Sequence, residues 1–156
     1  MYDVTATGEL LIDFTRNGLS EQNNRIYEAN PGGAPCNVLA MLGKLGYKTA
    51  FIGKVGEDEF GKLLKNTISE QKIDAAGLIL DPNAKTTLAF VDNDETGDRS
   101  FSFYRKPGAD MMLREDEVNY ELIDNCRIFH FGSLSMTDEP VRSATYAMVD
   151  YAKKKN

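Results

Sequence analysis

The sequence predicts an α/β domain: a parallel sheet covered by helices, with a separate small β layer beside it. Three observations carry this reading. Apolar extended runs alternate with runs at helical spacing, and short connections join them. Two extended segments, near Arg25 and over Thr86 to Tyr104, fall outside that alternation. The chain has 156 residues, 42% hydrophobic and 27% charged, enough for one domain with a buried core, which excludes a disordered chain or a disulfide-stapled scaffold.

Asp3 to Phe14 (DVTATGELLIDF) reads as the first strand, interrupted at Gly8, and a polar stretch from Thr15 to Asn24 follows. Arg25 to Ala29 is a short extended piece, and Pro31 to Pro35 (PGGAP) is too rich in Gly and Pro for helix or strand. Asn37 opens an apolar helix (NVLAMLGKL) that Gly46 terminates, and Thr49 to Val55 is the next strand. Asp58 to Gln71 places Phe60, Leu63, Leu64 and Ile68 at helical spacing, with Glu57, Asp58 and Glu59 where the helix dipole favours negative charge. Ala76 to Leu80 is a strand. Thr86 to Asp92 and Arg99 to Tyr104 form a hairpin around the polar turn Asn93 to Asp98. Asp116 to Asp124 is a short helix and Arg127 to Gly132 a strand. Pro140 to Lys155 is the last helix, with Val141, Ala144, Met148, Val149 and Ala152 on one face.

Several function classes drop out. Lys and Arg number 18 against 24 Asp and Glu, a net charge of −6 that disfavours broad binding to nucleic acid or an anionic membrane. No apolar run can span a bilayer, and the first residues carry no signal-peptide pattern. Two cysteines with no CxxC fit a reduced, cytoplasmic setting. There is no P-loop GxxxxGK(S/T), no GxGxxG after the first strand and no GxSxG. His130, the lone histidine, lies inside an apolar strand with no cluster to join, so it reads as a packed residue and no metal site is expected.

The segment from Pro31 to Gly61 remains. Gly32 and Gly33 let a ligand approach the backbone, and the Asn37 amide at a helix N-terminus can both donate to and accept from a hydroxyl. Asp13 ends the first strand, where open α/β sheets bind their ligands. These residue types suit adjacent sugar hydroxyls, though on their own they better suit a tight turn, a helix cap and a solvated acid.

The spacing is more specific. Gly32-Gly33, Asn37, Gly46 and Gly56 resemble the N-terminal signature of the ribokinase-like (PfkB) carbohydrate kinases, with Leu39 standing where that family prefers Ala, Ser or Thr. Gly8 to Phe14 (GELLIDF) resembles the family's first strand, and Val55 to Gly61 (VGEDEFG) its VGxDxFG stretch. Arg105 to Asp110 (RKPGAD) and His130 to Ser133 (HFGS), followed by Glu139 to Ala144, resemble the fructokinase branch. The likeness runs in family order over all 156 residues.

The resemblance implies a ribokinase-like, mostly parallel sheet flanked by helices, with a β-sheet lid over about 15–29 and 86–104. It implies transfer of the γ-phosphate of ATP to a sugar hydroxyl, fructose first among candidates, with Mg²⁺ accompanying the nucleotide. As substrate ligands it implies Asp13 and Asn37, Gly32 and Gly33 through their backbone, and Phe103 and Arg105 from the lid, one stacking on the sugar and the other reaching a hydroxyl. Asp138 and Glu139 lie where some members place a sugar-contacting acid, but they read as N-terminal charges of the last helix. A homodimer joined through the lid also follows from the likeness. The family's GAGD-type base and anion hole and its NxxE stretch are absent from these residues, so 1–156 is expected to be the N-terminal portion of one domain, inactive alone, with the ATP-binding portion elsewhere. Ribose, a nucleoside or 2-keto-3-deoxygluconate remain alternative substrates, and a non-catalytic sugar-binding module is the alternative if the chain is complete.

Overall fold

Gly8 divides what the sequence offers as one strand. Its φ of +152° is a conformation that side chains avoid, and there the chain turns out of one sheet and into another. In the computed structural model, which describes residues 1–93 and 99–155, β1 (Tyr2–Thr7) ends before this glycine and β2 (Leu11–Leu19) begins after it. The order continues with β3 (Arg25–Gly32), α1 (Ala34–Lys44), β4 (Thr49–Gly56), α2 (Glu59–Glu70) and β5 (Ile73–Asp81). Then come β6 (Leu88–Asn93), β7 (Arg99–Tyr104), α3 (Glu121–Asp124), β8 (Cys126–Phe131) and α4 (Val141–Lys155).

The main sheet has the order β5-β4-β1-β8, all parallel. Its central strands are covered on both faces. Phe51 and Val55 of β4 join Leu39 of α1 with Leu64 and Ile68 of α2 in one apolar layer. Ala50 and Ile52, one residue out of phase, join Leu122, Val141, Ala144 and Met148 in the other. Two-sided burial explains why β4 (TAFIGKVG) is buried at every position. Lys54 is the exception in composition: its ammonium is buried but bonded to the Met112 carbonyl (3.1 Å) and to Glu117 (2.7 Å), with Asp81 at 3.3 Å. These bonds anchor the segment after β7 to the sheet.

The second sheet has the order β3-β2-β6-β7, with β2 and β6 parallel and both outer pairs antiparallel. Phe14 stacks on Phe90 (centroids 5.0 Å) and meets Phe60 of α2 edge-on (5.6 Å), which seats this lid on the body.

Several boundaries differ from expectation. The lid begins at Leu11, includes Thr15 to Leu19 as strand, and runs to Gly32, through part of the expected PGGAP loop. Polar residues there are exposed on both faces, so backbone pairing holds the strands without an alternating pattern to announce them. The lid's other segment is strand only from Leu88. Helix α1 starts at Ala34 rather than Asn37, because Pro35 sits in the first turn, where its missing N–H costs nothing. The helix expected over Asp116 to Asp124 is two pieces, a 3-10 turn at Glu115–Glu117 and the single-turn α3, since Asn119 caps the Glu121 N–H (3.2 Å) and restarts the helix. The hairpin turn expected at Asn93 to Asp98 lies, from residue 94 on, outside the described residues. The remaining elements agree within a few residues at their ends.

Asp58 ties body to lid. Its carboxylate accepts from the Gly61 N–H at the start of α2 (2.9 Å), from the Thr86 N–H (2.9 Å) and from the Thr86 hydroxyl (2.7 Å), two residues before β6. Burial pushes its pKa up, but the Thr86 and Gly61 bonds outweigh that and leave it below the ordinary carboxylate range. Such a group adds stability above the unfolded pKa and loses it as pH falls through the lower folded value. Asp58→Ala should cost about 1–2 kcal/mol at pH 7, the upper range for a lost helix cap. In urea melts the gap to wild type should close as pH drops below the ordinary carboxylate pKa.

Candidate functional site

Chain direction reverses across the main sheet between β1 and β8: from β1 the connections lead to β4 and β5, then return to β8 on the other side. In open α/β sheets the crevice beyond the carboxyl ends at such a reversal is where ligands bind. Gly8 and Glu9 leave β1 there, and Gly132 leaves β8, its N–H bonded to the Thr7 carbonyl (3.0 Å). The lid rises from this edge.

Glu9 organises the crevice. It is 6% exposed and accepts a hydrogen bond from the Ala34 N–H (2.9 Å), the first residue of α1. Gly33, the N-cap, offers no side chain, so an acid 25 residues earlier supplies the cap, with the helix dipole favouring its charge. Gly33 has φ +122°, and a Cβ there would run into the Glu9 carbonyl. The second Glu9 oxygen is buried with no partner among the described residues. Burial, and then the Glu9 charge, push the neighbouring Cys36 thiol far up, so Cys36 stays protonated. Glu9 is a member of the site that the motifs do not single out; its signal in the sequence is an acid inside an otherwise apolar run.

Asp13 is not at the end of a body strand. It lies on β2 of the lid, five residues past Gly8, because that glycine sends the chain out of the main sheet. Cross-strand register puts Asn30, Asp13, Ala89 and Phe103 in one row across the lid, so they share a face. Gly32 lies directly against Asp13: a Cβ on Gly32 would overlap Asp13 Oδ2. Among the described residues no protein group donates to this carboxylate, and neighbouring Asn30 turns its amide to Thr15 (3.4 Å) and the Glu28 carbonyl (3.2 Å). Half-buried without a partner, Asp13 has its pKa raised by desolvation. A carboxylate held this way is a ready acceptor for hydroxyls.

Asn37 is in the first turn of α1 and exposed; its N–H bonds to Gly33 O (3.0 Å), so it is not the cap. With Gly32 it lines a crevice of about 50 Å³. Phe103 and Arg105 line a different, larger cavity of about 420 Å³, with Lys106, Leu134 and Asp138. Phe103 is 53% exposed and stacks on Phe101 (6.1 Å). Arg105 is fixed from one side: its Nε donates to Asp110 (2.7 Å), while Nη2 is buried with no partner among the described residues. Asp110 in turn accepts from the Thr87 hydroxyl. Thus Asp13 meets Gly32, and Phe103 and Arg105 share a cavity that Gly32 and Asn37 do not line. Asp138 lines the larger cavity. Glu139 pairs with Arg142 (2.8 Å) and accepts from the Ser143 N–H (3.1 Å), the helix-end role its position suggests. Among the described residues no group of three His, Cys, Asp or Glu is placed to hold a metal ion, so none is assigned to Mg²⁺, and no helix is long and apolar enough to cross a membrane.

The family model for pfkB family carbohydrate kinases matches residues 1–156. The chain belongs to that family. It is 46% identical over 153 residues to a protein named probable fructokinase-6, chloroplastic, from Arabidopsis thaliana, covering 97% of this chain and 40% of that protein. Fructokinase from Xylella fastidiosa has the same fold, with a TM-score of 0.92 and 34% identity over 99% of this chain and 48% of that one. Fructokinase from Vibrio cholerae, solved with fructose, ADP and calcium ion, superposes with a TM-score of 0.84 at 32% identity, over 100% of this chain and 48% of that one. The ribokinase-like expectation for sheet and lid is therefore correct. The chain spans less than half the length of the curated relatives it matches.

An acid with a raised folded pKa favours the fold most when protonated, and its contribution falls as pH rises through that value. Asp13→Asn removes the buried charge. Without ligand it should melt at or above wild type at pH 7, with the difference vanishing below about pH 4, where Asp13 is itself protonated. Calorimetric melts at the two pH values check this.

Proposed function

We propose that this chain supplies the sugar-binding part of an ATP-dependent sugar kinase, with fructose as the substrate. The observation that carries the reading is the Asp13 carboxylate: half-buried, without a protein donor among the described residues, and pressed against the bare backbone of Gly32. A structural acid would have a partner; one kept for a ligand need not. Membership of the pfkB family and likeness to fructokinases support the choice of chemistry and sugar.

In this reading Asp13 accepts hydrogen bonds from sugar hydroxyls, while Gly32, Gly33 and Asn37 border the same end of α1. Phe103 offers an apolar face and Arg105 Nη2 a donor from the other edge of the lid. Holding the acceptor hydroxyl in line with the γ-phosphate of ATP lowers the barrier by positioning, and the lid keeps out water, a competing acceptor. These 156 residues contain neither a GAGD nor an NxxE stretch, so the base, the anion hole, the nucleotide contacts and Mg²⁺ are assigned to residues outside them. Leu19, Ile26 and Tyr104, large apolar side chains exposed on the lid, suit a homodimer formed through it. The free thiols Cys36 and Cys126 suit a reducing compartment such as the cytoplasm.

A coupled assay on the complete protein tests the reading. Fructose should give a higher kcat/KM than ribose, and residues 1–156 alone should give no turnover. Asp13→Asn should raise the fructose KM on the order of ten-fold, since a hydrogen bond to a charged group exceeds a neutral one by about 1 kcal/mol or more, and should leave the ATP KM in place. Ribose as the best substrate would overturn the choice of sugar. An unchanged sugar KM would remove Asp13 from the site.

A further inference from the structure

The buried Thr87–Asp110–Arg105 chain has a consequence for which sugars the cavity accepts. Asp110 is 4% exposed and both its oxygens are committed, Oδ1 to the Thr87 hydroxyl and Oδ2 to Arg105 Nε. Gly108 makes room for this packing: a Cβ there would overlap Thr87 Oγ1. The Ala109 N–H to the Lys85 carbonyl (2.8 Å) locks the turn that presents Asp110. The Arg105 side chain is 10% exposed, and its Nη2 is a buried donor with no acceptor among the described residues. A buried donor left unmade is costly, so the arrangement makes sense with a ligand oxygen in place.

The charge of that ligand follows from the pair. Asp110 has already neutralised Arg105 in a site where water is largely excluded, so Nη2 offers a hydrogen bond without a net positive charge behind it. The other charged residues on the cavity wall, Lys106 and Asp138, offset one another. A neutral hydroxyl satisfies Nη2 at no electrostatic cost. A carboxylate would bring a second anion beside Asp110, where the low dielectric strengthens the repulsion.

Building on the sugar-kinase reading, we propose that Asp110, held by Thr87, is a positioning residue that sets substrate class: by aiming and neutralising Arg105 it makes the cavity select neutral sugars and reject sugar acids. Two probes isolate the charge, fructose and 2-keto-D-gluconate, which is fructose with C1 oxidised to a carboxylate. Equilibrium binding of each to the complete protein gives a ratio of affinities. Wild type should favour fructose by at least ten-fold, and Asp110→Asn, which keeps the shape and removes the charge, should cut that ratio at least five-fold, mainly by tighter binding of the acid. Arg105→Gln, which leaves Asp110 as an unpaired anion, should move the ratio the other way, and it decides the matter if Asp110→Asn does not fold. A wild type that binds both equally, or variants that leave the ratio fixed or shift it in the same direction, would overturn the proposal. A wild type that binds neither sugar would instead defeat the sugar-kinase reading, and this proposal with it.

Discussion

The site depends on one constraint, the passage of the chain from β1 to β2 across Gly8 to Leu10. Three things have to happen in those residues. The strand must leave a parallel sheet buried on both faces, cross the carboxyl end of that sheet, and re-enter a second sheet that overhangs it. Gly8 supplies the backbone conformation, Leu10 stays in the core, and Glu9 turns back to hold the first turn of α1. That single carboxylate fixes where Gly32 and Gly33 lie, and Gly32 in turn lies against Asp13. Without the bend Asp13 would sit on a body strand, away from the face it shares with Ala89 and Phe103.

The family motifs divide into two kinds of work. VGEDEFG contributes little chemistry of its own: through Asp58 it caps α2 and grips Thr86, so the lid is hinged to the body at a defined place. RKPGAD is a clamp, in which Gly108 leaves the space, Asp110 fills it, and Arg105 is the product, a guanidinium fixed by one nitrogen with another left to offer. Buried polar groups of this kind are costly unless satisfied; among the described residues Thr7 Oγ1, Glu9 Oε2, Thr49 Oγ1, Asp92 Oδ1 and Arg105 Nη2 are buried without a partner, and of these Thr7 and Glu9 lie at the sheet reversal.

How much of this is legible in the sequence depends on what each residue is doing. The body elements are readable because burial writes a period: β4 is apolar but for Thr49 and Lys54, and α2 carries Leu64 and Ile68 four apart. The lid is less readable, since Thr15 to Leu19 show no alternation and pair through backbone with one side-chain bond, from the Asn30 amide to Thr15. Asp13 is picked out by motif likeness, and its place is misjudged only because a break at one glycine moves it to another sheet. Glu9 and Thr87 stay hidden for a different reason: their importance lies in partners 25 and 23 residues away, which no local pattern reveals, whereas Asp110 stands in the RKPGAD motif and only its grip on Arg105 waits for the fold. That is also why Phe103 and Arg105 can be named from sequence while the cavity they share, and its separation from the Gly32–Asn37 crevice, cannot.

The central claim is that Asp13, at the overhang of the lid, is a sugar ligand rather than a structural acid. The most direct measurement is a crystal structure of the complete protein with fructose bound. The account predicts at least one sugar hydroxyl within hydrogen-bond distance, about 2.5–3.0 Å, of the Asp13 carboxylate, with the sugar lying between it and Phe103. Fructose bound away from this face, with Asp13 still lacking any partner, would contradict it.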